Sequence, residues 1–197
     1  MKSLKLCVIG GMLAVSLAIS PNVAADPEHE VAPVTQGALP GALIHNPMAI
    51  KWDPEGPNKS VSIVESDGVP GSQAISFRVR KKNGKKPWDI RMRAPFDQDI
   101  SAGEQIEVYF WARASKLPKK KESGKISVVV GRNEEPHDTI VDTQILPTAE
   151  WKMYRVSGTA ERDFPTSESD MGFNFGFEKQ TIELGPFYAI TRGSAAE

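Results

Sequence analysis

Between residues 61 and 190 the chain keeps returning to one pattern. Short stretches alternate apolar and polar residues and are separated by clusters of Gly, Pro, Asn and Asp. Successive side chains on a strand point to opposite faces, so each stretch reads as a half-buried strand. In Gln73 to Arg80, Ile75, Phe77 and Val79 share one face, while Ser76, Arg78 and Arg80 share the other. Trp88 to Ala94 sets Ile90, Met92 and Ala94 against Asp89, Arg91 and Arg93. Gln105 to Ala114 sets Ile106, Val108, Phe110 and Ala112 against Glu107, Tyr109, Trp111 and Arg113. The same reading applies to Val61–Glu65, Lys125–Val130, Asp138–Leu146, Trp151–Thr159, Met171–Glu178 and Thr181–Ile190. No amphipathic helix interrupts them. Nine or ten strands with one apolar face each require two sheets to bury those faces against each other. Asn83-Gly84 suits a tight hairpin, whereas the loops 114–124 and 160–170 are long enough to cross between sheets. The expected fold is all-β, a jelly-roll β-sandwich of two antiparallel sheets.

The start of the chain reads differently. Lys2 and Lys5 precede an apolar run from Leu6 to Ile19, and Val23-Ala24-Ala25 offers small residues for cleavage. Residues 1–25 are therefore expected to be a secretory signal peptide and the protein to be secreted or periplasmic. Residues 26–41, rich in Pro and Gly without a period, read as a flexible lead-in. The sandwich domain is expected over 42–192, with 193–197 as a tail. Cleavage would remove the one cysteine, Cys7, and both early lysines, moving the net charge from -1 to -3. That balance argues against sequence-neutral nucleic-acid binding. No other apolar stretch is long enough to span a membrane.

The polar faces of three strands are unusual for surfaces that only meet water. Arg91 and Arg93 lie two apart, as do Tyr109, Trp111 and Arg113; Asn174 and Glu178 flank Gly176. Aromatic rings stack on the C–H faces of sugars, and rigid planar polar groups take paired hydrogen bonds from hydroxyls. Gly176 would let a ligand approach the backbone. Competing readings are packing of Trp111 under a loop, and pairing of Arg91 and Arg93 with Glu104 or Glu107. Trp88, beside a charged turn, is the leading aromatic candidate, whereas Trp52 and Trp151 read as packing. Two lysine clusters, at 81–86 and 119–121, would attract an anionic ligand if they met beside Trp88. Enzyme signatures are missing: there is no Gly-x-Ser-x-Gly and no His-Glu-x-x-His. The pair His137-Asp138 reads as a solvated loop.

Taken in order, Trp88, Gly103-Glu104, Phe110-Trp111, Trp151 and Gln180-Thr181-Ile182 resemble the jelly-roll carbohydrate-binding modules attached to xylanases and endoglucanases, of galactose-binding-like type. Asn46 to Trp52 is similar to that family's opening strand and Trp, and the resemblance spans about 42–192. It implies a protein that holds β-linked polysaccharide in a groove on one sheet without cleaving it. By that resemblance Trp88 is the groove aromatic, Arg91 points into the groove, and Asn174 with Glu178 form its polar pair. The expected ligand-binding set is thus Trp88, Arg91, Arg93, Tyr109, Trp111, Arg113, Asn174, Glu178 and Gln180. The expected partner is a polysaccharide or oligosaccharide, of anionic type if the lysines take part. Many family members hold a structural calcium through paired acidic residues in the last strand. Here Glu183-Leu184-Gly185-Pro186 offers one carboxylate where such a cation wants six or more oxygens, so no cofactor is expected. Two rival functions are an envelope adaptor that binds protein through the same sandwich, and a small polysaccharide hydrolase or lyase.

Overall fold

A computed structural model describes residues 40–194. The segment expected to be a signal peptide, Cys7, His29, nearly all of the expected lead-in and the last three residues of the tail lie outside the described residues. Among the described residues eleven strands are formed: β1 (Ala42–Leu43), β2 (Asp53–Glu55), β3 (Lys59–Glu65), β4 (Gln73–Val79), β5 (Arg91–Pro95) and β6 (Glu104–Lys116). They continue with β7 (Ile126–Arg132), β8 (Thr139–Ile145), β9 (Lys152–Thr159), β10 (Ser169–Asn174) and β11 (Thr181–Ser194). One antiparallel sheet runs β3-β4-β11-β6-β9, with β1 also against β11; the other runs β2-β5-β10-β7-β8. The fold is the expected jelly-roll sandwich. Consecutive strands are sheet neighbours only at β3–β4 and β7–β8; every other connection changes sheets.

The core is the inward set that the alternation gives. Ile106, Val108, Phe110 and Ala112 of β6 are buried against Met171 and Phe173 of β10 and Val128 and Val130 of β7. Aromatic rings fill the middle. Phe77 and Phe175 stack at 3.9 Å between centroids, and Phe110, Phe173 and Phe187 meet at tilted or edge-on angles. Trp52 closes one side of this cluster, 6.0 Å from Phe173 and 5.3 Å from Phe187. It packs, as expected.

Three local expectations need correction. The Asn83-Gly84 turn forms, with the Lys86 N–H donating to the Asn83 carbonyl at 2.9 Å. It does not join a hairpin, however, because β4 and β5 belong to different sheets. The strand expected to reach Glu178 stops at Asn174, and the chain turns at Gly176-Phe177. The opening segment Asn46 to Trp52 forms no strand itself; it lies between β1 and β2, only two and three residues long, too short for alternation to reveal.

Candidate functional site

The outward face of the five-stranded sheet is built in register rows. Asp53, Arg93, Gly172, Val129 and Asp142 stand opposite one another across β2, β5, β10, β7 and β8. The adjacent row is Glu55, Arg91, Asn174, Ser127 and Gln144. Gly172 in the middle leaves a low floor. A Cβ there would lie 2.2 Å from the Met92 carbonyl oxygen, so β5 and β10 pass each other too closely for a side chain. Gly172→Ala is accordingly expected to cost about 1–3 kcal/mol by overpacking, read as a lowered denaturant midpoint.

Over this floor lies a hollow of about 390 Å³, lined by Trp88, Arg91, Arg93 and Asn174 on one side. Arg132, His137 and Asp142 line the other. Trp88 sits in the 3₁₀ turn Pro87–Asp89 just before β5 and is 50% exposed. The turn is fixed by Gly176, whose N–H donates to the Pro87 carbonyl at 3.1 Å and whose carbonyl accepts from Asn83 N–H at 2.8 Å. A Cβ on Gly176 would lie 2.6 Å from that Pro87 oxygen. The glycine does serve a close backbone approach, but the approaching group is the Trp88 turn itself and not a ligand.

The arginines are held by neighbours on β2 and β10, not by Glu104 or Glu107. Arg91 Nε donates to Glu55 at 3.0 Å; Arg93 Nε donates to the other Glu55 oxygen at 2.8 Å, and Arg93 Nη1 donates to Asp170 at 2.7 Å. This chain orients two guanidinium planes along the groove. Arg91 spends Nε and Nη2 on Glu55, which leaves Nη1 without a protein partner among the described residues. Asn174 Nδ2 donates to Ser127 at 3.0 Å, leaving its carbonyl oxygen to accept from a ligand. Two other hollows are slightly larger. One, of about 480 Å³, is lined by Glu65, Ser66 and the β3–β4 turn and has no aromatic wall. The other, of about 460 Å³ and mainly apolar, lies between Met48, Ile63 and Phe187. Neither combines an exposed ring with oriented planar donors.

Charge placement predicts acid lability. Burial pushes the Glu55 carboxyl up, but hydrogen bonds from Arg93 and Arg91 outweigh it and hold the group below its ordinary 4.5. Glu107 follows the same balance, with Arg155, Tyr109 and Arg192 as donors. Glu178 is held low chiefly by the Lys121 hydrogen bond. A carboxyl lowered by folding contributes stability above its unfolded value and loses it as pH falls through the folded one. Asp170, raised by burial, opposes this in part. The thermal midpoint is therefore expected to be level down to about pH 5 and to drop below about pH 4.5, measured by circular dichroism across a pH series.

The other expected ligand residues do not share this groove. Tyr109, Trp111 and Arg113 lie on β6, in the opposite sheet. Tyr109 is 7% exposed and its hydroxyl donates to the buried Glu107 carboxylate, which also takes Arg155 at 2.6 Å. Arg113 donates to Glu183 at 2.8 Å and to Ser66 at 3.0 Å, and its guanidinium lies 4.9 Å from the Trp151 ring centre. Trp111 backs onto β11, where a Cβ on Gly185 would come within 2.9 Å of the Trp111 Cβ. Gln180 is 1% exposed and is spent on backbone: its Nε2 donates to the Lys125 carbonyl at 2.6 Å and its Oε1 accepts from the Lys125 N–H at 2.8 Å. Glu178 lies in the β10–β11 loop, bridged to Lys121 at 2.6 Å and Lys82 at 3.3 Å. Alternation cannot assign a strand to a sheet, and that is why the β6 set looked equivalent to the β5 set.

Residues outside the expected ligand-binding set complete the groove. Asp142 and Val129 follow from strand alternation once the sheet is known. Glu55 and Asp170 are visible only through cross-strand register. His137 joins because the β7–β8 loop folds its left-handed backbone, φ 57°, over the rim. The place where the resemblance would put calcium does not fit that ion. Its one carboxylate, Glu183, is already engaged by Arg113, and no cluster of three His, Cys, Asp or Glu side chains suited to a metal occurs among the described residues.

No protein-family model matches the chain, and no curated protein matches it in sequence. Solved structures do. A CBM4 structure is similar with TM-score 0.55 and 17% identity, over 71% of this chain and 94% of that one. The second N-terminal cellulose-binding domain of Cellulomonas fimi β-1,4-glucanase C is similar with TM-score 0.52 and 17% identity, over 80% and 94%. An arabinose-bound MgGH51 α-L-arabinofuranosidase is similar with TM-score 0.56 and 15% identity, over 80% of this chain but only 27% of the enzyme. At such identities the likeness is one of fold. No helix among the described residues is long and apolar enough to cross a membrane.

Proposed function

We propose that this is an exported, non-catalytic carbohydrate-binding protein that holds a polysaccharide or oligosaccharide in the groove over β5, β10 and β7. The single observation that carries the reading is the combination around one hollow of a half-exposed Trp88 ring in the turn before β5 with the oriented Arg91 and Arg93 guanidiniums and Asn174 on the sheet. An indole offers a pyranose a flat stacking face, and guanidinium and amide groups held by the sheet meet hydroxyls without a large ordering cost. The same fold is seen in domains described as cellulose-binding, which supports this class of ligand. No nucleophile or base is assigned, because the carboxylates nearest the arginines, Glu55 and Asp170, are occupied in ion pairs.

Affinity electrophoresis through soluble β-glucans, xylans and mannans tests the proposal. Retardation by at least one of them is the expected result. Free migration through all of them, or release of reducing sugar from any, would overturn it.

A further inference from the structure

The two lysine loops converge, and they do so beside the groove. Residues 80–86 and 116–125 together carry ten cations and a single carboxylate, Glu122, in a chain whose net charge is only -1. The loops are tied together by Glu178, which takes Lys82 from one and Lys121 from the other. Lys125 adds its ammonium 5.1 Å from the Phe177 ring centre in the same loop as Glu178. Lys81, Lys85, Lys86, Lys119 and Lys120 are exposed. Concentrating like charge at one end of a sandwich costs repulsion, and a bound polyanion would relieve it.

This basic end continues directly into the proposed site. Lys85 and Lys86 immediately precede Pro87-Trp88, and the Asp89 N–H donates to the Lys86 carbonyl at 3.1 Å within the same turn. A chain leaving the groove past Trp88 therefore meets ammonium groups at once. Inside the groove the charges are compensated instead: Arg91 and Arg93 by Glu55 and Asp170, and Arg132 by Glu168. The division is between a nearly neutral groove that grips sugar rings and an end where cations, beyond the two lysines that Glu178 bridges, outnumber carboxylates and select what the rings carry.

We propose that the ligand is an acidic glycan, a uronate-bearing polysaccharide whose carboxylates lie over the Lys85–Lys86 and Lys119–Lys120 loops while its rings occupy the groove. The inference rests on the carbohydrate-binding reading above. Lysine suits it, being a compact, hydrated point charge on a flexible stem that follows carboxylates spaced along a mobile chain.

The test compares glucuronoxylan with the same polymer after carboxyl reduction, with single-stranded DNA as a non-glycan polyanion, by affinity electrophoresis and calorimetry. The acidic polymer is expected to bind at least about tenfold more tightly than the reduced one, with the advantage shrinking between about 50 and 500 mM salt. Lys85→Ala with Lys86→Ala, and Lys119→Ala with Lys120→Ala, leave the Glu178 bridges intact and should erase that advantage without changing the thermal midpoint. Equal binding of both polymers, or lysine variants that behave as wild type, would overturn the acidic preference while the groove reading stands. Binding of neither polymer nor of any neutral glycan would remove both. DNA binding as tight as that of the uronate polymer would replace the proposal with a sequence-neutral polyanion surface.

Discussion

Phe173→Ala is expected to lower the unfolding free energy by about 3–5 kcal/mol, the largest stability loss of any single substitution considered for this protein. Phe173 is 1% exposed and its ring meets four others: Phe110 at 5.0 Å, Phe187 at 5.6 Å, and Trp52 and Phe175 each at 6.0 Å. These rings come from both sheets and from the opening segment, so the void left by truncation cannot be closed by shifting one neighbour. Against a total stability of about 5–15 kcal/mol this is a large fraction. The measurement is a denaturant titration, with Phe173→Leu as the milder companion because it keeps most of the volume. A loss below about 1 kcal/mol for the alanine variant would contradict this ring as the centre of the core. Because Phe173 lies beneath the groove floor, the same variant should also lose ligand retention near its lowered midpoint.

Trp88→Ala is expected to have the complementary profile: binding weakened about thirtyfold or more, equivalent to a hot-spot loss of about 2 kcal/mol, with stability changed by less than about 0.5 kcal/mol. The separation follows from position. Half of the Trp88 surface is exposed, and its turn is held by backbone bonds to Gly176 and Asn83 that the substitution leaves in place. Calorimetry against the best glycan, with thermal unfolding alongside, checks both halves. Trp111→Ala serves as the contrast, since its ring lies on the other sheet against Gly185. It should leave binding unchanged. If Trp111→Ala abolished binding and Trp88→Ala did not, the groove would be on the wrong face.

The alternation within β5 and β6 was legible residue by residue. Met92 and Ala94 are buried while Arg91 and Arg93 face the groove, and Phe110 and Ala112 are buried while Trp111 and Arg113 face outward. The long loops 114–124 and 160–170 were rightly read as crossovers. Of the nine site candidates, Trp88, Arg91, Arg93 and Asn174 line one hollow. Tyr109, Trp111 and Arg113 face the opposite side, Gln180 is buried on backbone, and Glu178 clamps two lysine loops. Each departure comes from pairing over long range. Tyr109 and Arg93 carry similar local patterns, and only their partners, Glu107 for one and Glu55 with Asp170 for the other, make one set a sealed network and the other a groove wall.

What residue order alone settled is the two-faced strand and, through it, the sandwich: a period of two is a local property of the backbone, and enough apolar faces leave no alternative to two sheets. Which strands stand side by side was decided by tertiary structure. Nearly every connection here changes sheets, so Glu55, Arg91, Asn174 and Ser127 become neighbours although 36 residues separate the first pair and 47 the last. A site assembled across register rows exists only once distant strands have paired, because the hydrogen-bond ladder and the shared core, not the spacing along the chain, set which side chains meet.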